Sequence, residues 1–260
     1  MLASGRWRGA LPGGETAEAW QRGDGAVVVR ASDDAGIERA RFMLALDDDT
    51  TEFHRRFARD PLLGPSARAL VGWRPLRLAT VTHATVRAVC GQLIESRRAR
   101  AIERSVMRAC GQVVVTQDAL TRLSPAQLCA CDLADTRAAT LARLSRTIDL
   151  ERLRDHPTPA VASRLSRERG IGPWSIGVIA LEGLGRYDAG LVGDLGLLKL
   201  ASSLRGRWVE AWETAELLQP YDEWQGLAGE LLLLGWSKGL VPGADADAAR
   251  RTRLRSRRAA

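Results

Sequence analysis

The stretch LSRERGIGPWSIG, residues 165–177, decides how this chain is interpreted. It predicts a helix, then a tight turn in which Gly170 and Gly172 flank Ile171, then a second helix with Pro173 in its first turn. The glycines permit positive φ and leave the backbone uncovered, and Ile171 can anchor the turn in the core. The backbone N–H groups that begin the second helix would point outward and attract a phosphate oxygen. Taken alone, such a turn is more often a plain connection between helices.

A second feature follows downstream, where the segment VGDLG at residues 192–196 begins another apolar-periodic helix with Asp194. One interpretation of this aspartate is an N-cap that needs no further role. The other is a fixed negative charge facing a groove, which would stabilise a carbocation as it develops. The spacing of the residues leaves both interpretations open.

The hairpin GIGPWS (residues 170–175) and VGDLG together resemble the signature of the helix-hairpin-helix DNA glycosylases, in particular the 3-methyladenine DNA glycosylase II branch. The resemblance covers about residues 40–240. Weaker matches support its register, namely DPLL at 60–63, GWRP at 72–75, AVCGQL at 88–93 and LQPY at 218–221.

The resemblance implies a mainly α, two-lobed helical bundle with a helix-hairpin-helix motif, preceded by a small β-containing N-terminal appendage. We divide the chain into this appendage (1–45), a helical glycosylase domain (46–245) and a basic, disordered tail (246–260). The sequence pattern itself predicts a loose start of about 25 residues, strands at 26–30 and 40–46, and helices thereafter. One helix is predicted to run unbroken over ATVRAVCGQLIESRRARAIERSV, residues 84–106.

The resemblance also assigns roles to residues. It makes Asp194 the catalytic residue, and it puts Trp174 and Val178 in the base pocket. It assigns DNA contact to Gln92, Leu93, Gly170, Ile171, Gly172 and Ser175, with Leu93 as the side chain that fills the gap left by a flipped base.

Alternatives stay open for two of these assignments. Trp174 can instead be a core residue beneath the hairpin, and Gln92 and Leu93 can lie within a helix. Relatives that also cut the DNA strand carry a lysine where this chain has Trp174, so the resemblance implies a monofunctional enzyme. Val178 and Glu230 stand where pocket aromatics are expected, which puts the preferred lesion in doubt.

The charge is unevenly distributed, with 38 basic and 31 acidic residues giving a net charge of +7. Six arginines lie in residues 250–258, so the rest of the chain is close to neutral. Binding to a polyanion there must depend on a few placed groups rather than on overall charge. No apolar run is long enough to span a membrane, and we expect a cytoplasmic, nucleoid-associated monomer.

The predicted partner is double-stranded DNA with damaged bases, from which the chain would release alkylated purines such as 3-methyladenine. We expect no metal site and no cofactor, apart from a monovalent cation held by the hairpin carbonyls. Two other functions stay open: a noncatalytic helix-hairpin-helix DNA-binding protein, and a glycosylase of the same fold that acts on uracil or oxidised bases.

Overall fold

A computed structural model describes residues 5–92 and 94–245. The contacts divide the chain into two compact units. The first contains the residues up to Asp47, Leu76–Ile171 and Glu182–Gly185, and the second contains Asp48–Pro75, Gly172–Leu181 and the chain from Arg186 onward. The predictions for Leu93 and for the tail 246–260 lie outside the described residues. In the described part of the chain, no helix combines the length and hydropathy that crossing a membrane would need.

The first unit begins with a three-stranded antiparallel sheet in the order β1 (Arg6–Ala10), β2 (Thr16–Gln21) and β3 (Val27–Arg30). The prediction of a loose start is therefore wrong, because the first two strands lie within it. These strands are short and rich in Gly, Ala and charged residues, so their sequence carries little of the apolar alternation that marks a strand.

The prediction of a strand at residues 40–46 is also wrong, because this segment lies mostly in helix α1 (Asp34–Met43). The helix begins at Asp33, whose side chain accepts a hydrogen bond from the Gly36 N–H at 2.7 Å. Its apolar residues face the sheet, where Ala40 is fully buried in a small core. The apolar run of this segment is too short to distinguish the periodicity of a strand from that of a helix.

The regular secondary structure in the rest of the described chain is helical, which confirms the mainly α prediction. The helices are α2 (Thr51–Phe57), α3 (Gly64–Ala69), α4 (Val81–Gly91), α5 (Ser96–Ala109), α6 (Gln117–Thr121), α7 (Pro125–Cys129), α8 (Asp135–Thr147), α9 (Thr158–Ser166), α10 (Pro173–Val178), α11 (Leu195–Arg205), α12 (Glu213–Leu218) and α13 (Gln225–Ser237). Short 3₁₀ segments cover Glu151–Asp155 and Gln219–Trp224, and a π-helical turn, Ile179–Leu184, continues from α10.

The helix predicted over residues 84–106 is broken into α4 and α5. The backbone at Gln92 leaves the helical region with ψ 123°, and the chain turns before it re-enters a helix at Ser96. Both halves carry apolar residues at helical spacing, so their joined pattern concealed the break.

A buried carboxylate fixes α5 to the first unit. Glu103 is 3% exposed and bonds His83 Nε2 (3.2 Å) and Arg87 Nε (3.0 Å) on α4 and Arg100 Nη1 (2.9 Å) on α5. Burial alone would raise the pKa of Glu103, but the hydrogen bond to His83 and the two arginines lower this pKa to about 2. Because this side of α5 is held inward, its opposite side is left to the solvent.

Candidate active site

Asp194 lies at the start of α11, in the second unit. Its Oδ1 accepts hydrogen bonds from the backbone N–H groups of Gly196 (2.7 Å) and Leu197 (3.2 Å). The residue is half-buried. Asp194 is therefore a true N-cap, and this role alone does not exclude a chemical one.

The second oxygen of this carboxylate has a different partner. The indole Nε1 of Trp174, on α10, donates a hydrogen bond to Asp194 Oδ2 at 3.0 Å. A capping residue needs only one oxygen for the helix, so this bond fixes the remaining degree of freedom of the carboxyl group. Trp174 is itself half-buried, which fits neither a fully enclosed core tryptophan nor a freely exposed one.

Two glycines allow the backbones of α10 and the loop before α11 to bring these side chains together. A Cβ on Gly177 would overlap the carbonyl oxygen of Gly190, so α10 can approach this loop only with a glycine here. Gly193 has φ +85° and donates its N–H to Thr214 Oγ1 at 2.7 Å. The turn before Asp194 is therefore held by its close contact with α10 and by the hydrogen bond from Gly193 to Thr214.

We expect Gly177→Ala to destabilise the protein by about 1–3 kcal/mol, because the added methyl group must displace backbone rather than a flexible side chain. Gly172→Ala is the matched control in the same hairpin, since a Cβ there has nothing within 4 Å and the residue has φ −109°. The free energy of unfolding of Gly172→Ala should stay within about 0.5 kcal/mol of the native value. Urea unfolding of the two variants makes the comparison, and equal stabilities would contradict the close approach.

The hairpin turn contains Gly170 with φ +90°, which lies in the left-handed region. Its preceding carbonyl, Arg169 O, accepts hydrogen bonds from Thr140 Oγ1 (3.1 Å) and Arg143 Nη2 (2.7 Å), both on α8. A Cβ on Gly170 would come within 2.6 Å of Thr140 Oγ1. Within the first unit, side chains of α8 therefore hold the backbone at the point where α9 ends and the turn begins.

The next carbonyl of the turn is held by the loop between α4 and α5. Gln92 Nε2 donates a hydrogen bond to Gly170 O at 2.6 Å, across 78 residues of sequence. The resemblance implies that both residues contact DNA, and the structure brings the two together within the first unit.

We expect Gln92→Ala to weaken duplex DNA binding about two- to tenfold, because one hydrogen bond that orders the turn is worth about 0.5–1.5 kcal/mol. Gln21→Ala removes a similar bond, from Gln21 Nε2 to Gly25 O at 3.0 Å, in a turn of the N-terminal sheet. Fluorescence anisotropy with an undamaged duplex compares both variants with the native chain. Equal binding by all three proteins would show that Gln92 does not support the hairpin's function.

The remaining predicted site residues differ in exposure. Ile171 is 6% exposed, which confirms that it anchors the turn, whereas Gly172 is exposed. Ser175 and Val178 are buried, at 2% and 6% exposure. The side chains of these two residues therefore face the interior of the protein. Ser175 can contribute to the exposed start of α10 only through its backbone.

Charged side chains around the hairpin are already partly neutralised. Glu168 pairs with Arg164 (2.6 Å) and Arg143 (3.2 Å), and the hydrogen bond from Arg164 is the main reason that the pKa of Glu168 lies below its usual value. Arg167 and Arg169 are exposed, and neither pairs with an acid in the described part of the chain. The surface beside the turn is therefore cationic.

Sequence analysis missed the residues that support the hairpin and the aspartate. Thr140, Arg143 and Thr214 act through contacts with residues 21–29 positions away, and no local pattern indicates such contacts. The pairing of Arg164 with Glu168 could have been found, because the two residues have the i, i+4 spacing of a helical ion pair.

Comparison with solved structures identifies the fold. The 3-methyladenine DNA glycosylase from Archaeoglobus fulgidus superposes with a TM-score of 0.76, covering 92% of this chain and 89% of that one at 18% identity. The chain has the fold of the helix-hairpin-helix DNA glycosylases. The 8-oxoguanine glycosylase/lyase of Clostridium acetobutylicum, in complex with double-stranded DNA, shares this glycosylase fold with a TM-score of 0.74 and 18% identity over 92% of this chain and 87% of that one.

Sequence comparison agrees with this glycosylase fold. The DNA-3-methyladenine glycosylase of Bacillus subtilis (strain 168) is 28% identical over 205 residues, which are 70% of this chain and 66% of that protein. The chain thus matches just under two thirds of the length of this relative. No protein-family model matches the chain. These comparisons confirm the fold that the resemblance implied.

Proposed function

We propose that this protein is a monofunctional DNA glycosylase of base excision repair, of the 3-methyladenine DNA glycosylase II type, which hydrolytically releases alkylated purines from duplex DNA. The observation that carries the proposal is the fixed carboxylate of Asp194, held by α11 through one oxygen and by Trp174 through the other. The name of the Bacillus subtilis relative and the shared glycosylase fold support the same substrate class.

The chemistry requires little beyond a placed negative charge. The bond between C1′ of the sugar and the base nitrogen breaks, its electron pair leaves with the base, and the sugar becomes an oxocarbenium ion. The carboxylate of Asp194 stabilises this positive charge and orients a water molecule. The water oxygen bonds to C1′, and its proton passes to the carboxylate and then to the released base or the solvent.

The substrate base must first leave the duplex, which costs a few kcal/mol and least for a damaged or mispaired base. The hairpin around Gly170 holds the phosphate backbone of the strand, and the loop at Gln92 lies against that hairpin. Leu93, at the next position, fills the vacated space. We assign the face of the Trp174 indole to the flipped base, where a cationic alkylated purine gains about 0.5–2 kcal/mol.

The proposal excludes cleavage of the DNA strand by the protein. An amine at the hairpin position would form a Schiff base with the sugar, but this position holds Trp174. The chain's lysines are Lys199 on α11 and Lys238 after α13. No cofactor takes part in the proposed reaction. A monovalent cation at the hairpin carbonyls and a nucleoid-associated location in the cytoplasm stay predictions.

A panel of duplexes that carry a single lesion tests the proposal. We expect the purified protein to release 3-methyladenine and to leave uracil and 8-oxoguanine in place. Release of uracil or an oxidised base instead would favour a different substrate for the same fold. Binding to the duplexes without any base release would favour the noncatalytic DNA-binding protein.

A further inference from the structure

Helix α5 carries a row of arginines that the catalytic proposal does not use. Arg97, Arg104 and Arg108 are all exposed, and their spacing of seven and four residues puts them on one face of the helix. Ile102 and Val106, on the opposite face, are buried. We call the three arginines the α5 stripe.

The stripe is not neutralised in the way that its neighbours are. Arg98 pairs with Asp132 (3.3 Å) and Arg100 with Glu103 (2.9 Å), whereas the three stripe arginines pair with no acid in the part of the chain that the structure describes. The acids of α5 and its cap are the buried Glu103 and the exposed Glu95. Exposed, unpaired arginines on one face form a local cationic surface on a body that is close to neutral.

The position of the stripe links it to the hairpin. Helix α5 begins four residues after Gln92, whose side chain bonds Gly170 O in the hairpin turn. At 1.5 Å per residue, the stripe extends about 16 Å along the axis of α5 from Arg97 to Arg108. At 3.4 Å per base pair, this length corresponds to about five steps along one strand of DNA.

We propose that the α5 stripe is a second phosphate-binding surface, which holds the backbone of undamaged duplex DNA on the same unit as the turn at Gly170. The inference rests on the proposed function for the identity of the polyanion. Arginine suits the role because its guanidinium donates two parallel hydrogen bonds to a phosphate. The hairpin then fixes the strand at the lesion, and the stripe adds affinity that does not depend on sequence.

The test is the salt dependence of binding to an undamaged 20-base-pair duplex, measured by anisotropy with the full chain. The triple variant Arg97→Gln, Arg104→Gln, Arg108→Gln should bind about tenfold more weakly at low salt. The slope of log K against log salt should fall by about 2–3, since each phosphate contact contributes about 0.9. Glutamine has a helix propensity close to that of arginine, so α5 should fold as before.

A second triple variant controls for net charge. Arg30, Arg59 and Arg122 are exposed and likewise unpaired within the described residues, so changing them to Gln removes three charges from other surfaces. We expect this control variant to keep the native salt slope. A variant with Lys at the three stripe positions keeps the charges, so it should retain most of the native slope. Equal losses in the stripe and control variants, or a native slope in the stripe variant, would overturn the proposal.

This experiment separates the stripe from the proposed function. It measures only the binding of undamaged DNA and gives a result whether or not the protein releases a base. A chain that binds DNA through the stripe without base release would overturn the catalytic proposal alone. A chain that releases 3-methyladenine with the native salt slope in the stripe variant would overturn the stripe alone.

Discussion

Replacing Asp194 with Asn is expected to lower the rate of base release from alkylated duplex DNA at least about a hundredfold. The change removes the negative charge that stabilises the oxocarbenium ion, and the loss of one such preorganised group costs about 10²–10³ in rate. Asparagine is also a good N-cap, so α11 should still begin at this position. Single-turnover release of methylated purines measures the effect, with duplex binding measured in parallel.

Asp33 offers the matched control for this variant. Its side chain also caps a helix, by accepting the Gly36 N–H at 2.7 Å, but this helix is α1 in the first unit. Asp33→Asn should release bases at the native rate. If Asp194→Asn retains full activity, Asp194 is not the catalyst, whereas a matching loss in Asp33→Asn would show that the loss is not specific to Asp194.

The second large effect is expected for Trp174→Phe, which keeps an aromatic ring but removes the Nε1 donor to Asp194 Oδ2. A hydrogen bond to a charged group is worth about 1.5–3 kcal/mol, so base release should slow about ten- to a hundredfold. Because the ring that stacks on the base remains, the affinity for lesion-containing DNA should change much less than the rate.

Combining the two changes distinguishes positioning from stacking. If Trp174 acts through Asp194, the double variant Trp174→Phe, Asp194→Asn should be no slower than Asp194→Asn alone. Trp212, which is 63% exposed, gives the control variant Trp212→Phe, which should behave as the native chain. Additive losses in the double variant would mean that the indole N–H does not act through the carboxylate.

Sequence patterns predicted the structure correctly where it depends on residues that are close together in the sequence. The mainly α fold, the turn anchored by Ile171 and the helix that begins at Asp194 were all predicted from local signals such as caps, glycines and apolar spacing. The start of α7 is another local signal of this kind, with Ser124 as the N-cap, Pro125 in the first turn and a capping box completed by Gln127.

Local patterns failed where a contact between distant residues decides the outcome. The bond from Trp174 to Asp194 depends on the close approach at Gly177, and the bond from Gln92 to Gly170 depends on the break between α4 and α5. Neither the break nor the approach leaves a periodic trace in the sequence. The N-terminal strands were missed because their apolar residues are too few and too small to mark an alternation.

The most direct test of the central claim is to incubate the purified chain with a duplex that contains 3-methyladenine and to follow both products. Chromatography detects the free base, and a denaturing gel before and after alkali detects the state of the strand. The account predicts free 3-methyladenine and a strand that is cut only after alkali treatment. A protein that releases no base, or that cuts the strand without alkali, would contradict it.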